Sequence, residues 1–472
     1  MTRLVIRDLD VVVTVDGEDR ILSGASITIE DGTITAISTD VEPPAMSATM
    51  STYRPIGRKT DGTADGARVI DGRGKLALPG LVNLHTHLPM TLLRGLAEGV
   101  DLQGFLRIVW AAEGAVMDPD TVTLGATLGA LESLLGGCTT QLDMYFHHEA
   151  AHAGALATGA RHVTGPVFFE GPGPDGLTWE QRIAGLRAWP GRQRAMGGPA
   201  LPTAAMPHST YTVTGEHLKQ VRDVVATWGS EDRPLLNTHA SENAAENADT
   251  LERFEATPVQ LLHAAGWFAP DGPRIVLAHG VHIDEVDEQL LTAATTIAHC
   301  PGSNLKLASG ALPWRRHHAR GQALGIGTDG CSSSNDLDMW QAMRQAALLA
   351  RLTAGDPTAG SAREVLRAAT IEGARALGMA DLIGSIEVGK RADITLIDLR
   401  APHLTPVHDV EALLVFAAGR GDVTDVLVDG IHVVRGRRAT LIDQEQVMAA
   451  ARERAAVAAD AARRAQRRGA RG

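Results

Sequence analysis

Pro79-Gly80-Leu81-Val82-Asn83-Leu84-His85-Thr86-His87-Leu88 is the stretch on which the reading of this chain turns. With the preceding Lys75-Leu76-Ala77-Leu78 it makes an apolar run that carries breakers at Pro79-Gly80 and lacks helical spacing. Such a run predicts a short buried strand. Alternate residues of a strand point to one side, so His85 and His87 would present two imidazoles together. Neutral imidazole is a common metal ligand, and two at one strand end make half of a zinc site. A lone His-x-His also occurs without a metal, so the pair needs further ligands from elsewhere in the chain.

Outward from this stretch the pattern differs on the two sides. Residues 4–38 read as short β segments separated by Asp16-Gly17 and Asp31-Gly32, which is hairpin chemistry. From 39 to 67 the composition shifts to Pro, Ser, Thr, Gly and Met, the mark of a long surface loop or a disordered segment. Between Leu81 and Ala380 strand-like runs alternate with helical stretches. The candidates are the His85 strand, Gln141-Leu142, 162–164, 200–205, 235–238, 274–278, 296–298 and 324–327. Eight such units over about three hundred residues predict an α/β fold, a (β/α)8 TIM barrel. After Gly384 β pattern returns, with a hairpin signal at Asp429-Gly430, and Gln444 to Arg468 reads as a terminal helix. The expected organisation is a small β-sandwich domain built from 1–78 and 384–442, a barrel over 79–383, and a helix with basic tail over 443–472.

Composition narrows the class. The 472 residues are 44% hydrophobic and 21% charged, as in soluble globular proteins. A net charge of −12 argues against a nucleic-acid partner. Arg463, Arg464, Arg467, Arg468 and Arg471 are read as a solvated helix end and tail. No apolar run reaches the ~18 residues of a membrane span, and the first residues are too charged for a signal peptide. Cys138, Cys300 and Cys331 form no Cys-x-x-Cys pair. A reduced, cytoplasmic protein is expected, and barrels of this kind commonly form homo-oligomers.

Three other strands end in chemistry. Leu235-Leu236-Asn237-Thr238 runs into His239-Ala240-Ser241-Glu242, Ile275-Val276-Leu277-Ala278 into His279, and Leu324-Gly325-Ile326-Gly327-Thr328 into Asp329. One strand-end histidine is more often structural than catalytic. Five polar groups at four strand ends, where barrels place their catalytic residues, reverse those odds.

These segments, with His299-Cys300-Pro301-Gly302-Ser303-Asn304-Leu305-Lys306-Leu307, Gly327-Thr328-Asp329-Gly330 and Gly384-Ser385-Ile386-Glu387-Val388-Gly389, resemble the amidohydrolase superfamily over nearly the whole chain. Within it they look like the mononuclear-metal aminohydrolases: S-adenosylhomocysteine/methylthioadenosine deaminases, guanine deaminases and triazine hydrolases. The resemblance implies that His85, His87, His239 and Asp329 hold one divalent metal, zinc or else ferrous iron. It implies that Glu242 carries a proton from water to a ring nitrogen of the substrate. His279 then orients the attacking oxygen or stabilises the tetrahedral intermediate, and Asp329 relays a proton to departing ammonia. The expected reaction is deamination of an amino-substituted N-heterocycle of purine, nucleoside or pterin type. A triazine-type chloro- or alkylamino-hydrolase is the alternative, and a non-catalytic scaffold is disfavoured because every ligand position is filled. Hydantoinase-like relatives bridge two metals with a carboxylated lysine, but none of the five lysines (Lys59, Lys75, Lys219, Lys306, Lys390) follows a middle strand. His147-His148-Glu149 has half of a different zinc deaminase signature without its cysteine pair, and reads as loop at the pocket rim.

For the substrate, Glu113 and His208 resemble positions that hold the purine, Glu113 at the ring edge. Phe105-Leu106 stands where adenosylhomocysteine deaminases carry Trp-Leu. Phe169-Glu170 stands where they carry an arginine that grips the substrate carboxylate. That exchange argues for a neutral or cationic tail. Arg182 could supply a charge, although its helix reads equally well as surface.

Overall fold

The computed structural model describes residues 2–39, 62–64, 67–228 and 233–469. The predicted loop over 39–67 therefore lies mostly outside the described residues, as do Lys59 and Arg471. Within that range Gly62–Ala64 forms a short strand on Ala67–Asp71. No helix among the described residues is long and apolar enough to cross a membrane.

Eight parallel strands carry the central region: β1 (Leu81–His87), β2 (Cys138–Asp143), β3 (Arg161–Val163), β4 (Ala204–Pro207), β5 (Leu235–Ala240), β6 (Arg274–His279), β7 (Thr295–His299) and β8 (Ala323–Ile326). Their ladders form two arcs. One runs β1-β2-β3; the other runs from Val167–Phe168, just beyond β3, through β4 to β8. Asp329–Gly330, just beyond β8, pairs back onto β1 through Asp329↔Thr86 and Gly330↔His87. Helices occupy most crossovers, as connections between parallel strands require. Burial on both faces explains why these strands read as continuous apolar runs rather than alternating ones. The strand expected at 200–205 begins only at Ala204 and reaches Pro207, because Pro199 and Pro202 upstream have no N–H for a ladder.

The β pieces from both ends join in one ten-stranded sheet. Arg3–Val13 pairs with Ile21–Glu30, and Lys75–Pro79 pairs antiparallel with Ile394–Asp398, which ties the N-terminal ladder to the C-terminal one. Two of the short β segments expected within 4–38 merge into one strand, Arg3–Val13, with a register shift between Ile6 and Leu9. The turns at Asp31-Gly32 and Asp429-Gly430 have positive φ at both residues, the type I′ geometry that Asp-Gly favours.

The run from Lys75 to Asn83 is not one strand. It breaks at Gly80 into a strand of the terminal sheet and β1. A Cβ at Gly80 would lie 2.2 Å from Thr139 Oγ1, so only glycine lets the chain pass between the sheets there.

Two buried histidines away from the ligand set give the fold a pH dependence. Burial, then His162, pushes His152 down to about 3; burial, then His279, pushes His299 down to about 3. Unfolded, both would take a proton near pH 6.5. Between those values the unfolded chain binds more protons, so stability falls as pH drops and is complete above 6.5. Each should contribute roughly 1 kcal/mol per pH unit. The urea midpoint should fall between pH 7.5 and 5.5, with a shallower slope in His152→Gln; equal slopes would contradict it.

Candidate metal and active site

The ligand strand ends in a bulge. Against β2, Asn83 pairs with Gln141 and Thr86 with Asp143, so β1 holds one residue more than its neighbour over this stretch. The extra residue re-aims the strand end, as bulges beside active sites do. Leu84 joins Val82 in one core cluster while His85 and His87 meet ring to ring, centroids 4.9 Å apart. Asp143 Oδ1 accepts from Leu88 N at 2.7 Å, and Met144 O accepts from His87 Nδ1 at 2.6 Å. Two consecutive residues of β2's end thus grip the His87 turn.

His85, His87, His239 and Asp329 each offer one ligand atom, all within 4.8 Å of one another and all buried. Both ring nitrogens of His85 are buried without a hydrogen-bond partner, a costly state unless something else bonds them. His239 Nδ1 donates to His208 O at 2.6 Å, as His87 Nδ1 does to Met144 O. Each ring therefore turns an Nε2 lone pair inward, and the two Nε2 atoms are 3.3 Å apart. Facing lone pairs call for a cation, and carbonyl-held Nδ1–H groups are the usual outer support of metal-binding imidazoles. Burial, with His87 close by, pulls His239 down to about 3, so its ring is neutral and able to ligate. Burial would raise Asp329, but His87 and the other imidazoles hold its carboxyl well below the usual range. Asp329 Oδ2 accepts from Ser333 Oγ at 2.7 Å and Oδ1 from Gly330 N at 2.8 Å. This donor set fits one divalent metal. Among the described residues no second group of close ligands occurs, and Lys219 pairs with Asp223 instead.

Around this centre the strand ends leave in left-handed backbone: Ser241 (φ 52°), His279 (φ 73°) and Asp329 (φ 61°). Non-glycine residues adopt that region at a cost, and such strain gathers at functional sites. Glu242 is buried, and burial first, then Asp329, pushes its carboxyl well above the usual range. Its Oε2 lies 3.8 Å from His279 Nε2. His279 Nδ1 accepts from Asn304 Nδ2 at 3.0 Å, which leaves the ring proton on Nε2, toward the centre. Burial holds His279 down to about 4.

A cavity opens over His87, His239, Glu242, His279 and Asp329. Its walls include Phe105, Leu106, Val109, Trp110 and Glu113 from the helix Leu102–Val116, Tyr145 and Phe146 after β2, Phe169, and His208 with Tyr211. Phe146 and Phe169 stack at 5.1 Å, and Phe169 lies 4.5 Å from His208. Glu113 Oε1 accepts from Tyr145 Oη at 2.7 Å, while Oε2 is buried without a partner. Burial raises Glu113 to about 7 against the pull of Tyr145. His208 lines the cavity with its ring and fixes His239 with its carbonyl.

Two of the substrate residues predicted from sequence sit elsewhere. Arg182 is buried rather than surface-lying, and it does not line this cavity: its guanidinium donates to Asp175 at 2.8 and 2.6 Å and to Val167 O at 3.1 Å. Asp175 lies in the loop before the helix that carries Arg182, so no helical spacing marks the pair in sequence. Glu170 lies in the outer vestibule, held by His217 Nδ1 and by Thr214 N at 2.6 Å. Of His147-His148-Glu149 only His147 is loop; His148 starts a helix, and all three line a neighbouring cavity with Arg182. Tyr145, Phe146, Asn304 and Glu246 were missed. The first two follow a strand end, the one signal that could have found them.

The chain compares closely with known proteins along its length. The sequence profile of the amidohydrolase family matches residues 76–433. The 5-methylthioadenosine/S-adenosylhomocysteine deaminase of Pelotomaculum thermopropionicum is 36% identical over 450 residues, covering 94% of this chain and 96% of that one. The 5'-deoxyadenosine deaminase of Methanosarcina mazei is 35% identical with the same coverage. A crystal structure of an adenosine deaminase from Xanthomonas campestris with bound zinc superposes with a TM-score of 0.85 at 34% identity, covering 96% of this chain and 98% of that one. Such relatives imply the TIM-barrel fold, to which the parallel strands and crossover helices described above conform. The chain belongs to the amidohydrolase family.

Proposed function

We propose that this enzyme, a hydrolytic deaminase of an amino-substituted N-heterocycle, acts on adenosine-type nucleosides whose 5′ end carries an uncharged group. The observation that carries the nucleoside reading is the orphan Glu113 Oε2, a buried acceptor facing the cavity beside an aromatic stack. A buried acceptor of that kind suits a pair of sugar hydroxyls, whose donors would complete it. Phe146, Phe169 and His208 suit a flat ring. The names of the relatives, which speak of adenosine derivatives, support the same class.

The resident metal is read as zinc, which three imidazoles and one carboxylate suit; when bound it supplies Lewis acidity that makes water acidic enough to attack near neutral pH. The chain's own residues do the rest. Glu242 takes a proton from the water and delivers it to a ring nitrogen, a role that its raised carboxyl suits because it can hold a proton at neutral pH. Proton delivery makes the neighbouring ring carbon electrophilic. His279 donates from Nε2 to the oxygen added at that carbon, and Asn304 keeps the proton there. Asp329, a carboxylate, takes the remaining proton from the oxygen added at that carbon and passes it to the amino nitrogen, whose bond to the carbon breaks to release ammonia. His208 holds the ring and Phe105 closes the wall.

The uncharged tail follows from the lining. Among the described residues that line the inner cavity, none is Lys or Arg. Arg182 is spent on Asp175, and Arg253 in the vestibule lies over Phe254 and pairs with Asp249. A zwitterionic amino-acid tail would lose water there without a bidentate partner. Ammonia release should show kcat/KM about 10- to 100-fold higher for adenosine, 5′-deoxyadenosine or methylthioadenosine than for S-adenosylhomocysteine. Equal rates would overturn the tail assignment, and turnover of pterins or triazines alone would overturn the nucleoside reading. The same reading takes the two ladder arcs as one closed (β/α)8 barrel over 79–383, and the ten-stranded sheet as the small β-sandwich domain of the two ends.

A further inference from the structure

The loop that carries Glu242 is unusual in being gripped from below. Ser241 is left-handed, so the backbone after β5 would not by itself hold this turn. The helix Ala244–Phe254 begins directly after it, with Asn243 as its cap: Asn243 Oδ1 accepts from Glu246 N at 2.8 Å. Glu246 reaches back in return, and its Oε2 accepts from Glu242 N at 2.7 Å. Burial pushes the Glu246 carboxyl up to about 7, while the neighbouring backbone amides, that of Glu242 first, pull the other way. Its other oxygen, Oε1, is buried without a partner. A fully buried carboxylate half left unpaired is an expensive way to cap a helix whose cap Asn243 already serves. The far side of the turn is pinned too: His282 N donates to Ser241 O at 2.9 Å, and Asn247 Nδ2 to His282 O at 3.0 Å.

We propose that Glu246 is the positioning residue for Glu242: by accepting the Glu242 amide it sets the height and direction at which that side chain enters the site. This rests on the reading of Glu242 as the proton carrier. Glu246 touches neither the ligand set nor the cavity, so its effect must pass through the backbone of Glu242. Proton transfer is steep in distance, and a misplacement of about 1 Å costs on the order of 100-fold.

The test uses the full-length, metal-loaded enzyme with adenosine as substrate, reading kcat, KM, bound metal and melting temperature. Glu246→Ala should lower kcat about 100-fold while KM stays within about threefold and metal content is unchanged. Glu246→Gln, whose amide oxygen can still accept the Glu242 N–H, should recover to within about tenfold of the parent. Glu246→Asp keeps the charge but falls short of the amide, so it should behave like the alanine variant. If Glu246→Ala does not fold, the Gln-against-Asp comparison carries the test. A kcat for Glu246→Ala or Glu246→Asp within about threefold of the parent, or equal losses in Asp and Gln, would overturn the proposal. A fully active Glu242→Gln would instead sink the reading of Glu242 itself, whereas an inert Glu242→Gln beside an active Glu246→Ala sinks the positioning role alone.

Discussion

Glu242→Gln should lower kcat about 1,000-fold or more while the enzyme keeps its metal. The glutamine matches the shape of the side chain and can still touch His279, so packing and metal affinity should stand. What it cannot do is accept a proton from water and release it to a ring nitrogen. The carboxyl it replaces is buried and raised well above the usual carboxylate range, which is the state a proton carrier needs near neutral pH. Steady-state ammonia release together with metal analysis checks the prediction. If the variant retains activity, the proton path is misassigned; if it loses its metal, Glu242 supports the ligand set instead.

The complementary result is expected at His85→Ala: bound metal should fall from about one per chain to almost none, and turnover should fall by about 1,000-fold or more. His85 is wholly buried, and neither of its ring nitrogens has a hydrogen-bond partner. Its removal takes away a ligand that nothing nearby can replace, since the His87 and His239 rings are already held by Met144 O and His208 O. Folding should survive, because the deleted ring leaves a small cavity rather than an unpaired charge. Metal per chain by elemental analysis and circular dichroism decide it. Two metals per parent chain would revive an amide-hydrolase type of centre, and full metal retention in the variant would remove His85 from the ligand set.

The two variants separate what the strand end His85-Thr86-His87 does from what Glu242 does. They also show how unevenly the site was written in the sequence. His85, His87, His239, His279 and Asp329 were legible because each stands at the end of a strand-like run, and the order of strands in a parallel sheet brings such ends to one side. Glu242 was legible by resemblance at its spacing from His239. Phe105, Glu113 and His208 were brought to the cavity as expected. Arg182 looked exposed because its Asp175 partner, which makes it a buried ion pair, is not marked in the sequence, and Glu170 lies outside the inner cavity, held by His217 and Thr214.

What the sequence by itself determined is residue chemistry and local period: which strand-like runs end in metal ligands, that turns at Asp31-Gly32 and Asp429-Gly430 close hairpins, and that no lysine follows a middle strand. Only the tertiary structure decided that Gly80 divides one apolar run between two sheets. The same holds for the bulge that re-aims β1, for the Nε2 lone pairs that face each other across 3.3 Å, and for the unpaired Glu113 and Glu246 oxygens. The reason is physical. Propensity and periodicity act between residues a few positions apart, whereas burial, lone-pair direction and unmet hydrogen bonds depend on neighbours tens to hundreds of residues away, which the chain acquires only when its strands are assembled.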